Sequence, residues 1–164
     1  MKIRAAIVTL SDKGAKGERE DESGTTIREM ITSIGATIEH YEILPDEKQD
    51  IIVLLKRLSD TGSIDLIVTT GGTGVAPRDV TPEATREVIE RELPGMAEAM
   101  RAESLKKTPH AMLSRSVVGI RKQTLIVNLP GSPKAVRENL AVILPALPHA
   151  IDKMKGDLSD CAGT

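Results

Sequence analysis

Aromatic side chains are almost absent from this sequence, which has no Trp, no Phe and a single Tyr, Tyr41. Modules that bind single-stranded nucleic acid stack bases on several aromatic rings, and this chain does not have them. An excess of positive charge is also lacking, because 22 Lys and Arg side chains oppose 24 Asp and Glu and leave a net charge of −2. Such a chain has no global field that gathers DNA or RNA. Nucleic acid is therefore excluded as an expected partner.

Cysteine and long apolar runs are scarce too. The one cysteine, Cys161, excludes an intramolecular disulfide and a cysteine metal cluster, which is typical of a protein from a reducing compartment. The apolar run that begins at Ile3 ends before Ser11, so it is shorter than the apolar segment of a signal peptide. No run approaches the roughly 18 apolar residues that cross a bilayer. The sequence predicts a cytoplasmic protein without a membrane partner.

The length and composition are those of one globular domain. The chain has 164 residues, of which 40% are hydrophobic and 28% are charged, and a domain usually has roughly 100 to 200 residues. Disordered, collagen-like and coiled-coil chains have different compositions. We expect residues 1–164 to form a single domain with its own core.

Apolar, β-branched segments alternate along the chain with segments of helical periodicity. The strands are predicted at residues 3–10, 36–44, 64–70, 116–120 and 124–129, the last two as a hairpin. The helices are predicted at residues 25–34, 47–62, 81–92 and 96–106, with a final helix from 133 that bends at Pro145 and Pro148. The tail after Gly156 is expected to be loose. This alternation is typical of an α/β fold, here a three-layer αβα sandwich around a mostly parallel central sheet.

Four polar or glycine-rich segments follow predicted strands. Ligands of an open α/β sheet bind outside the carboxyl ends of its strands, at the point where the strand order reverses. The four segments are Ser11 with Asp12, Pro45 with Asp46, residues 71–79, and residues 130–133. We expect them to meet at one edge of the sheet.

The glycine loop, Gly71-Gly72-Thr73-Gly74, is the most informative of these segments. Glycines allow positive φ and close backbone approach, so consecutive N–H groups can converge on a phosphate or carboxylate. The loop lacks the spacing and the lysine of a Walker A loop, and it is not a G-x-G-x-x-G motif. On this tetrapeptide alone, an anion site and a simple tight turn are alternative interpretations.

Two charged residues, Arg78 and Asp79, follow the glycine loop. A carboxylate beside a phosphate site is repelled unless a cation intervenes, so Asp79 indicates a Mg²⁺ ligand or a proton acceptor. Its alternative role is to cap the next helix, although Thr81 is better placed for that. Arg78 is predicted to neutralise phosphate with its guanidinium, or else to lie solvated in the loop.

Several other polar residues also have two interpretations. Asp46 follows the second strand as Asp79 follows the third, so the two carboxylates can face each other and share a divalent cation, or Asp46 can cap a helix. Ser11 and Asp12 either bind a polar ligand group or form an Asx-turn. Ser132 either only caps the final helix or also presents that helix N-terminus to an anion. The three His residues share no metal-ligand spacing, which argues against zinc.

Three motifs lie at these predicted strand ends: TTGGTG at residues 69–74, RDVTPEA at 78–84 and LPGSP at 129–133. Together they closely resemble the signatures of the MogA and MoaB family of molybdenum cofactor biosynthesis proteins, which is related to the G domain of gephyrin. The resemblance extends from the first strand through the final helix. Residues 113–115 and 120–123 are more similar to MogA than to MoaB.

The resemblance implies a molybdopterin adenylyltransferase activity, in which AMP passes from ATP to molybdopterin with Mg²⁺ as cofactor and pyrophosphate is released. It also implies a homo-oligomer, a trimer in this family, and a molybdenum-insertion protein as a further partner. The family's two essential aspartates correspond to Asp46 and Asp79, which are the pair that the charge pattern indicates.

By the same resemblance, the remaining site residues divide between the two substrates. Binding of the nucleotide is assigned to Gly71, Gly72, Thr73, Gly74 and Arg78. Binding of the pterin substrate is assigned to Ser11, Asp12, Pro130, Gly131 and Ser132. Because Trp and Phe are absent, backbone groups and aliphatic side chains must recognise both ring systems.

Two alternatives share the fold. One is a noncatalytic pterin-binding or scaffold module, against which Asp46 and Asp79 argue, since a carrier gains nothing from two acids near phosphates. The other is a MoaB-type homologue that serves a tungsten cofactor. It would catalyse the same reaction and differ only in the metal used downstream.

Overall fold

The computed structural model describes residues 2–157, and a six-stranded sheet lies at its centre. The strands are β1 (Ile3–Leu10), β2 (Ala36–Leu44), β3 (Leu66–Thr70), β4 (Arg91–Glu92), β5 (Val118–Arg121) and β6 (Thr124–Leu129). They lie in the order β2-β1-β3-β6-β5-β4. The first four strands of this order pair in parallel, and β5 and β4 are added antiparallel. The predicted mostly parallel sheet and its hairpin are confirmed.

Seven helices surround the sheet within the described part of the chain. They are α1 (Asp12–Ala15), α2 (Glu22–Thr32), α3 (Lys48–Asp60), α4 (Thr81–Val88), α5 (Pro94–Leu105), α6 (Pro133–Ile143) and α7 (Leu147–Met154). Short 3-10 helices lie at Pro109–Leu113 and at Leu144–Ala146, where the predicted bend separates α6 from α7. None of the helices in residues 2–157 has the length and apolar character needed to cross a bilayer. Cys161 and most of the tail after Gly156 lie outside the described residues.

The strands carry apolar side chains on both faces because both faces are covered by helices. In β1, Ala5 and Ile7 belong to a core shared with α2, α5, α6 and α7. Ala6 and Val8, which point the other way in the pleat, belong to a second core with α3 and α4. Near-continuous apolar strands are what a sheet buried on both faces requires. The predicted three-layer αβα sandwich is therefore confirmed.

Two predicted helix boundaries are wrong for identifiable reasons. Helix α2 begins at Glu22 and not at residue 25, because the Asp21 side chain accepts a hydrogen bond from the N–H of Gly24 (2.9 Å) and caps the helix. Helix α4 ends at Val88, short of the predicted residue 92. Arg91–Glu92 instead pairs with β5 as a short strand, and the following Pro94 favours an extended residue before it.

Two of the proposed helix caps, Asp46 and Thr81, also differ from the prediction. Glu47, and not Asp46, precedes α3, and no side chain caps that helix. Thr81 is the first residue of α4, and its hydroxyl donates to the carbonyl of Gly71 (2.9 Å) instead of capping the helix. Both polar side chains are thus directed to the loops at the carboxyl edge of the sheet.

The carboxyl ends of the central strands are level with one another. Thr9 of β1 lies opposite Thr70 of β3, and Thr70 lies opposite Leu129 of β6. The chain passes from β1 to β2 on one side and then crosses to β3 on the other, so the strand order reverses between β1 and β3. In open α/β sheets a ligand crevice forms at such a point.

A buried ion cluster holds the opposite edge of the sheet. The Asp65 side chain is only 2% exposed and accepts hydrogen bonds from the backbone N–H of Arg4 (2.8 Å) and from its guanidinium (2.7 Å). The ammonium of Lys155, just after α7, lies 2.7 Å from the same carboxylate. Burial by itself would raise the pKa of Asp65, but the hydrogen bonds of Arg4 and Lys155 outweigh it and lower the pKa to about 2.

Replacing Asp65 by Asn is expected to lower the free energy of unfolding by about 2 kcal/mol at neutral pH. Because the folded-state pKa of about 2 lies below the ordinary value of 3.8, the carboxylate stabilises the fold above pH 3.8 and loses this effect as the pH falls toward 2. Urea unfolding across that pH range measures it. Asp60→Asn is the control, since Asp60 pairs with Arg121 and Lys122 at the surface and should cost less. Equal losses in the two variants at neutral pH would contradict the expectation.

Candidate active site

A cavity of about 650 Å³ opens at the carboxyl edge of β1, β3 and β6. Four loops predicted from the sequence contribute to it, together with residues 19–23 before and within the start of α2. The predicted site residues that line it are Ser11, Asp46, Gly71, Gly72, Asp79, Gly131 and Ser132. The structure therefore brings both candidate aspartates to one cavity.

Asp12 and Asp46 form two reciprocal hydrogen bonds, in which the carboxylate of each residue accepts from the backbone N–H of the other. The N–H of Asp46 donates to Oδ1 of Asp12 (3.0 Å), and the N–H of Asp12 donates to Oδ2 of Asp46 (3.1 Å). This reciprocal pair joins the loop after β1 to the loop after β2. It fixes the Asp46 carboxylate beside the glycine loop, where Oδ1 would lie 3.1 Å from a Cβ built on Gly72.

The electrostatic environment of Asp46 disfavours an isolated negative charge. Burial raises its pKa above the ordinary value, and the neighbouring charges of Asp12 and Asp79 raise it further, against the lowering effects of the Asp12 backbone hydrogen bond and of Arg78. A cation bound between these carboxylates would relieve the repulsion.

The Asp79 carboxylate lies at the end of the loop that follows β3. Its Oδ2 accepts a hydrogen bond from the N–H of Ala76 (2.9 Å), and its own N–H donates to the carbonyl of Ala76 (2.9 Å). The same oxygen would lie 2.8 Å from a Cβ built on Gly74. Asp79 thus lies beside Gly74 of the glycine loop and Asp46 beside Gly72.

The glycine loop turns sharply as β3 ends. Gly71 and Gly72 have φ values of +97° and +66°, which side chains other than glycine rarely adopt. The carbonyls of Gly71 and Gly72 accept hydrogen bonds from the hydroxyl (2.9 Å) and the N–H (3.1 Å) of Thr81. Those of Thr73 and Gly74 accept from the N–H (2.9 Å) and the guanidinium (2.7 Å) of Arg115.

These four contacts orient the loop's N–H groups. In a planar trans peptide, the N–H of the next residue points opposite to the carbonyl. The N–H groups of residues 72–75 therefore point away from Thr81 and Arg115. Successive backbone N–H groups in a turn of this kind can form an anion-binding concavity.

The loop after β6 completes the edge. Ser132 caps α6 as predicted, since its hydroxyl accepts a hydrogen bond from the N–H of Ala135 (3.2 Å). The carbonyl of Pro130 accepts from the hydroxyl of Thr70 (2.6 Å), and that of Gly131 accepts from the hydroxyl of Ser23 (2.7 Å). The N-terminus of α6 is thereby placed at the cavity.

A second cavity of about 450 Å³ lies across the glycine loop from the first. The side chain of His110 and the apolar side chain of Leu113 line it, and so do Thr73, Gly74 and Pro130. The two cavities share a wall whose members are Gly72, Asp79, Gly131 and Ser132. The arrangement therefore offers space for two ligands that meet at this wall.

Arg78 lies beside the site, with its guanidinium engaged by two acids. Its Nε is 2.6 Å from Oδ2 of Asp12, and its Nη2 is 2.7 Å from Oε1 of Glu47. The hydrogen bond from Arg78 is the main cause that lowers the pKa of Asp12 to about 2. Arg78 and Asp12 line neither of the two cavities. Their assignment to nucleotide and pterin therefore stays a prediction.

Ser11 caps α1, because its hydroxyl accepts a hydrogen bond from the N–H of Gly14 (3.0 Å).

Asp21 and Ser23 also line the larger cavity, and they are not among the site residues predicted from the sequence. Asp21 accepts hydrogen bonds from Thr9 (2.6 Å) and from the hydroxyl of Tyr41, in addition to capping α2. One sequence signal could have indicated Asp21: aspartate is a preferred N-cap residue, and its side chain accepts a hydrogen bond from the N–H three residues later, here that of Gly24. The helix predicted from residue 25 leaves Asp21 and Ser23 outside it.

Asp46 and Asp79 are the two carboxylates that could hold a magnesium ion together with substrate phosphates. Within residues 2–157, no group of three or more His, Cys, Asp or Glu side chains is arranged to bind a metal. Mg²⁺ in phosphoryl-transfer sites is usually bound by one or two carboxylates together with phosphate oxygens, so a complete protein cage is not required. The raised pKa of Asp46 and its proximity to Asp79 are consistent with such a partial site.

Comparison with known proteins identifies the family. The model of the probable molybdopterin binding domain matches residues 6–149. A molybdopterin adenylyltransferase of Helicobacter pylori is 45% identical over 157 residues, covering 94% of this chain and 89% of that protein. Gephyrin of Dictyostelium discoideum is 46% identical, covering 88% of this chain but only 21% of gephyrin. Among solved structures, that of the molybdopterin biosynthesis enzyme MoaB of Thermus thermophilus superposes with a TM-score of 0.89. Its sequence is 52% identical, and the match covers 94% of this chain and 98% of that one. The chain therefore belongs to the molybdopterin-binding domain family that includes the MogA- and MoaB-type proteins.

Proposed function

We propose that this chain is a molybdopterin adenylyltransferase, which transfers AMP from ATP to molybdopterin. The observation that carries the proposal is that Asp46 lies beside Gly72 and Asp79 beside Gly74 of one glycine loop, in a cavity at the sheet's switch point. The activity named for the Helicobacter pylori relative supports the same reaction.

The proposed reaction is a displacement at the α-phosphorus of ATP. An oxygen of the terminal phosphate of molybdopterin forms the new bond to this phosphorus, and the bond to the bridging oxygen of pyrophosphate breaks. Because the nucleophile is already an anion, the protein has to align the reactants and offset negative charge. An activated serine or cysteine is not needed.

Magnesium would be held by Asp46 and Asp79, where it would neutralise charge on the triphosphate. The chain's own contribution is to keep both carboxylates in place, through the Asp12 backbone and through the turn at Ala76. The N–H groups of residues 72–75 would bind phosphate oxygens on which charge develops. Donors and charges fixed before the reaction lose little energy to reorganisation.

The two cavities suit the two substrates of such a reaction. Asp79 belongs to the wall between them, where the reacting phosphates would meet. Ser11 lines the larger cavity, and Gly131 and Ser132 line both, so all three would lie within reach of a bound substrate. Arg78 would reach phosphate only by leaving Asp12 or Glu47, or by acting at longer range.

Pyrophosphate release tests the proposal. We expect the purified chain, given ATP, Mg²⁺ and molybdopterin, to release pyrophosphate and to form a product heavier than molybdopterin by one AMP unit. Omitting molybdopterin, or chelating Mg²⁺ with EDTA, should stop the release. Binding of molybdopterin without any pyrophosphate release would instead support the noncatalytic module.

Assembly, location and a downstream partner complete the proposal. An interface between identical chains, in the trimer that the family resemblance implies, is supported by three exposed apolar side chains near the glycine loop and the first 3-10 helix, Val75, Met112 and Leu113. Light scattering should then give three times the chain mass of 17.6 kDa. The adenylylated product would pass to a molybdenum-insertion protein in the cytoplasm.

A further inference from the structure

Arg115 contacts the glycine loop through its main chain and its side chain. It lies between the 3-10 helix at Pro109–Leu113 and β5. Its Nε donates to the carbonyl of Gly74 (2.7 Å), and its Nη2 donates to the carbonyl of Asp79 (2.7 Å). Its backbone N–H donates to the carbonyl of Thr73 (2.9 Å). One residue thus joins both ends of the segment 74–79.

The third arm of the guanidinium is held by Glu83. Nη1 of Arg115 forms a close ion pair with Oε1 of Glu83, in the first turn of α4. The side chain of Arg115 is 34% exposed, so it is partly shielded from water. A planar guanidinium has donors in fixed directions, so the three contacts define its orientation. Arg115 thereby connects the glycine loop to the first turn of α4.

This arrangement determines how the loop faces the cavities. Arg115 accounts for the direction of two successive carbonyls, those of Thr73 and Gly74, and hence for the opposite direction of the N–H groups of residues 74 and 75. Its contact with the Asp79 carbonyl fixes the backbone from which the Asp79 carboxylate extends. Without Arg115, the hydrogen bonds to the carbonyls of Gly74 and Asp79 are lost, and the backbone of residues 74–79 is less constrained.

We infer that Arg115 is a positioning residue for adenylyl transfer, which acts through the Asp79 carboxylate and the N–H groups of the glycine loop. The inference rests on the proposed function, because it names what keeps that site in its reactive geometry. In the sequence, Arg115 belongs to the segment 113–115 that resembles MogA, and that resemblance gives it no role.

The first test compares Arg115→Ala and Arg115→Lys with the unmodified chain. We expect the Ala variant to lose about 10²-fold in kcat, the size of effect that a misplacement of about 1 Å can have. Arg115→Lys should remain impaired, because an ammonium group cannot reach two carbonyls and a carboxylate in the geometry of a guanidinium fork. The Lys variant also provides the answer if the Ala variant does not fold.

Arg121→Ala is the matched control. Arg121 of β5 also pairs with an acid, Asp60, through two bonds of 2.9 Å and donates to a carbonyl, that of Val88 (3.2 Å). It lines neither the first nor the second cavity. We expect this variant to keep its kcat within about twofold, even if its melting temperature falls, since its partners Asp60 and Val88 also line neither cavity.

A double variant separates positioning from general destabilisation. If Arg115 acts through Asp79, Arg115→Ala should reduce kcat much less in the Asp79→Asn background than in the unmodified chain. A merely structural role would lower kcat by the same factor in both backgrounds. Equal factors, or a kcat of Arg115→Ala equal to that of Arg121→Ala, would overturn the inference.

Hydrogen exchange supplies a readout that requires no turnover. The amides of residues 73–79 should exchange faster in Arg115→Ala than in the unmodified chain or in Arg121→Ala, because local opening of the loop becomes easier. Unchanged exchange would contradict the inference. If the unmodified chain releases no pyrophosphate, the proposed function fails, and exchange still decides whether Arg115 holds the loop.

Discussion

Replacing Asp79 by Asn is expected to reduce the rate of pyrophosphate release about 10²- to 10³-fold, the loss typical of one preorganised electrostatic group. Asn can still accept the hydrogen bond from the N–H of Ala76, so the turn at residues 76–79 should persist. What disappears is one of the two negative charges that would hold Mg²⁺. The affinity for ATP should fall much less than the turnover, because the loop's N–H groups remain.

The control for this variant is Asp50→Asn, which removes the same charge from the exposed first turn of α3. Turnover of Asp50→Asn should match that of the unmodified chain. ATP affinity by calorimetry and turnover by pyrophosphate release are measured on the same preparations. Equal turnover of Asp79→Asn and Asp50→Asn would remove the proposed mechanism without affecting the fold.

A further consequence of Asp79→Asn concerns the neighbouring carboxylate. The negative charge of Asp79 is one of the causes that raise the pKa of Asp46, after burial and the charge of Asp12. Removing it should lower the pKa of Asp46, since the charged form then meets less repulsion. Carboxyl carbon NMR of the two proteins measures the direction of the change. A pKa of Asp46 that does not fall would mean that the two carboxylates are not close enough to interact.

Replacing Gly71 by Ala is expected to have the largest effect on stability, a loss of about 2 to 5 kcal/mol in the free energy of unfolding. A Cβ on Gly71 would lie 2.3 Å from the carbonyl oxygen of Leu10, at the end of the central strand β1. This oxygen belongs to the backbone and cannot rotate away as a side chain can. The φ value of +97° adds strain of its own.

Gly62→Ala separates the two causes. Gly62 also has a positive φ, of +68°, but no atom beyond its chain neighbours lies within 4 Å of an added Cβ. This variant should lose only the cost of the left-handed backbone, about 1 to 2 kcal/mol. Urea unfolding of both variants measures the difference. A loss in Gly71→Ala no greater than in Gly62→Ala would show that β1 and the loop can separate without cost.

Local patterns predicted the elements that lie at the site. The apolar runs of β1 and β3 are buried on both faces, and the hydrogen-bonded ladder of a parallel sheet brings the ends of such strands level. It follows that residues just after these strands meet at one edge. The convergence of Asp46 and Asp79 on the glycine loop could therefore be anticipated from their positions after strands alone.

The partners of the charged side chains could not be anticipated in this way. The sequence predicts that Arg78 either neutralises phosphate or lies solvated in its loop, and it does not indicate Asp12 and Glu47, which follow other strands and engage the guanidinium. Asp21 lies in a polar segment, and α2 begins at Glu22, before the first apolar residue of its helical pattern. The apolar pattern therefore does not indicate that Asp21 caps a helix. A charge in a sequence shows that a partner is needed, but the packing of distant loops decides which partner lies within reach.

The sequence by itself determined the three-layer sandwich, the edge at which the site lies and the two aspartates that line it. These follow from hydrophobic periodicity and from the geometry of parallel strands, which are local and repetitive. Only the tertiary structure decided that Asp12 holds Asp46, that Thr81 and Arg115 bind the carbonyls of the glycine loop, and that two cavities share a wall at Asp79. Such contacts join residues from separate loops, and their directions depend on how the helices pack on the sheet.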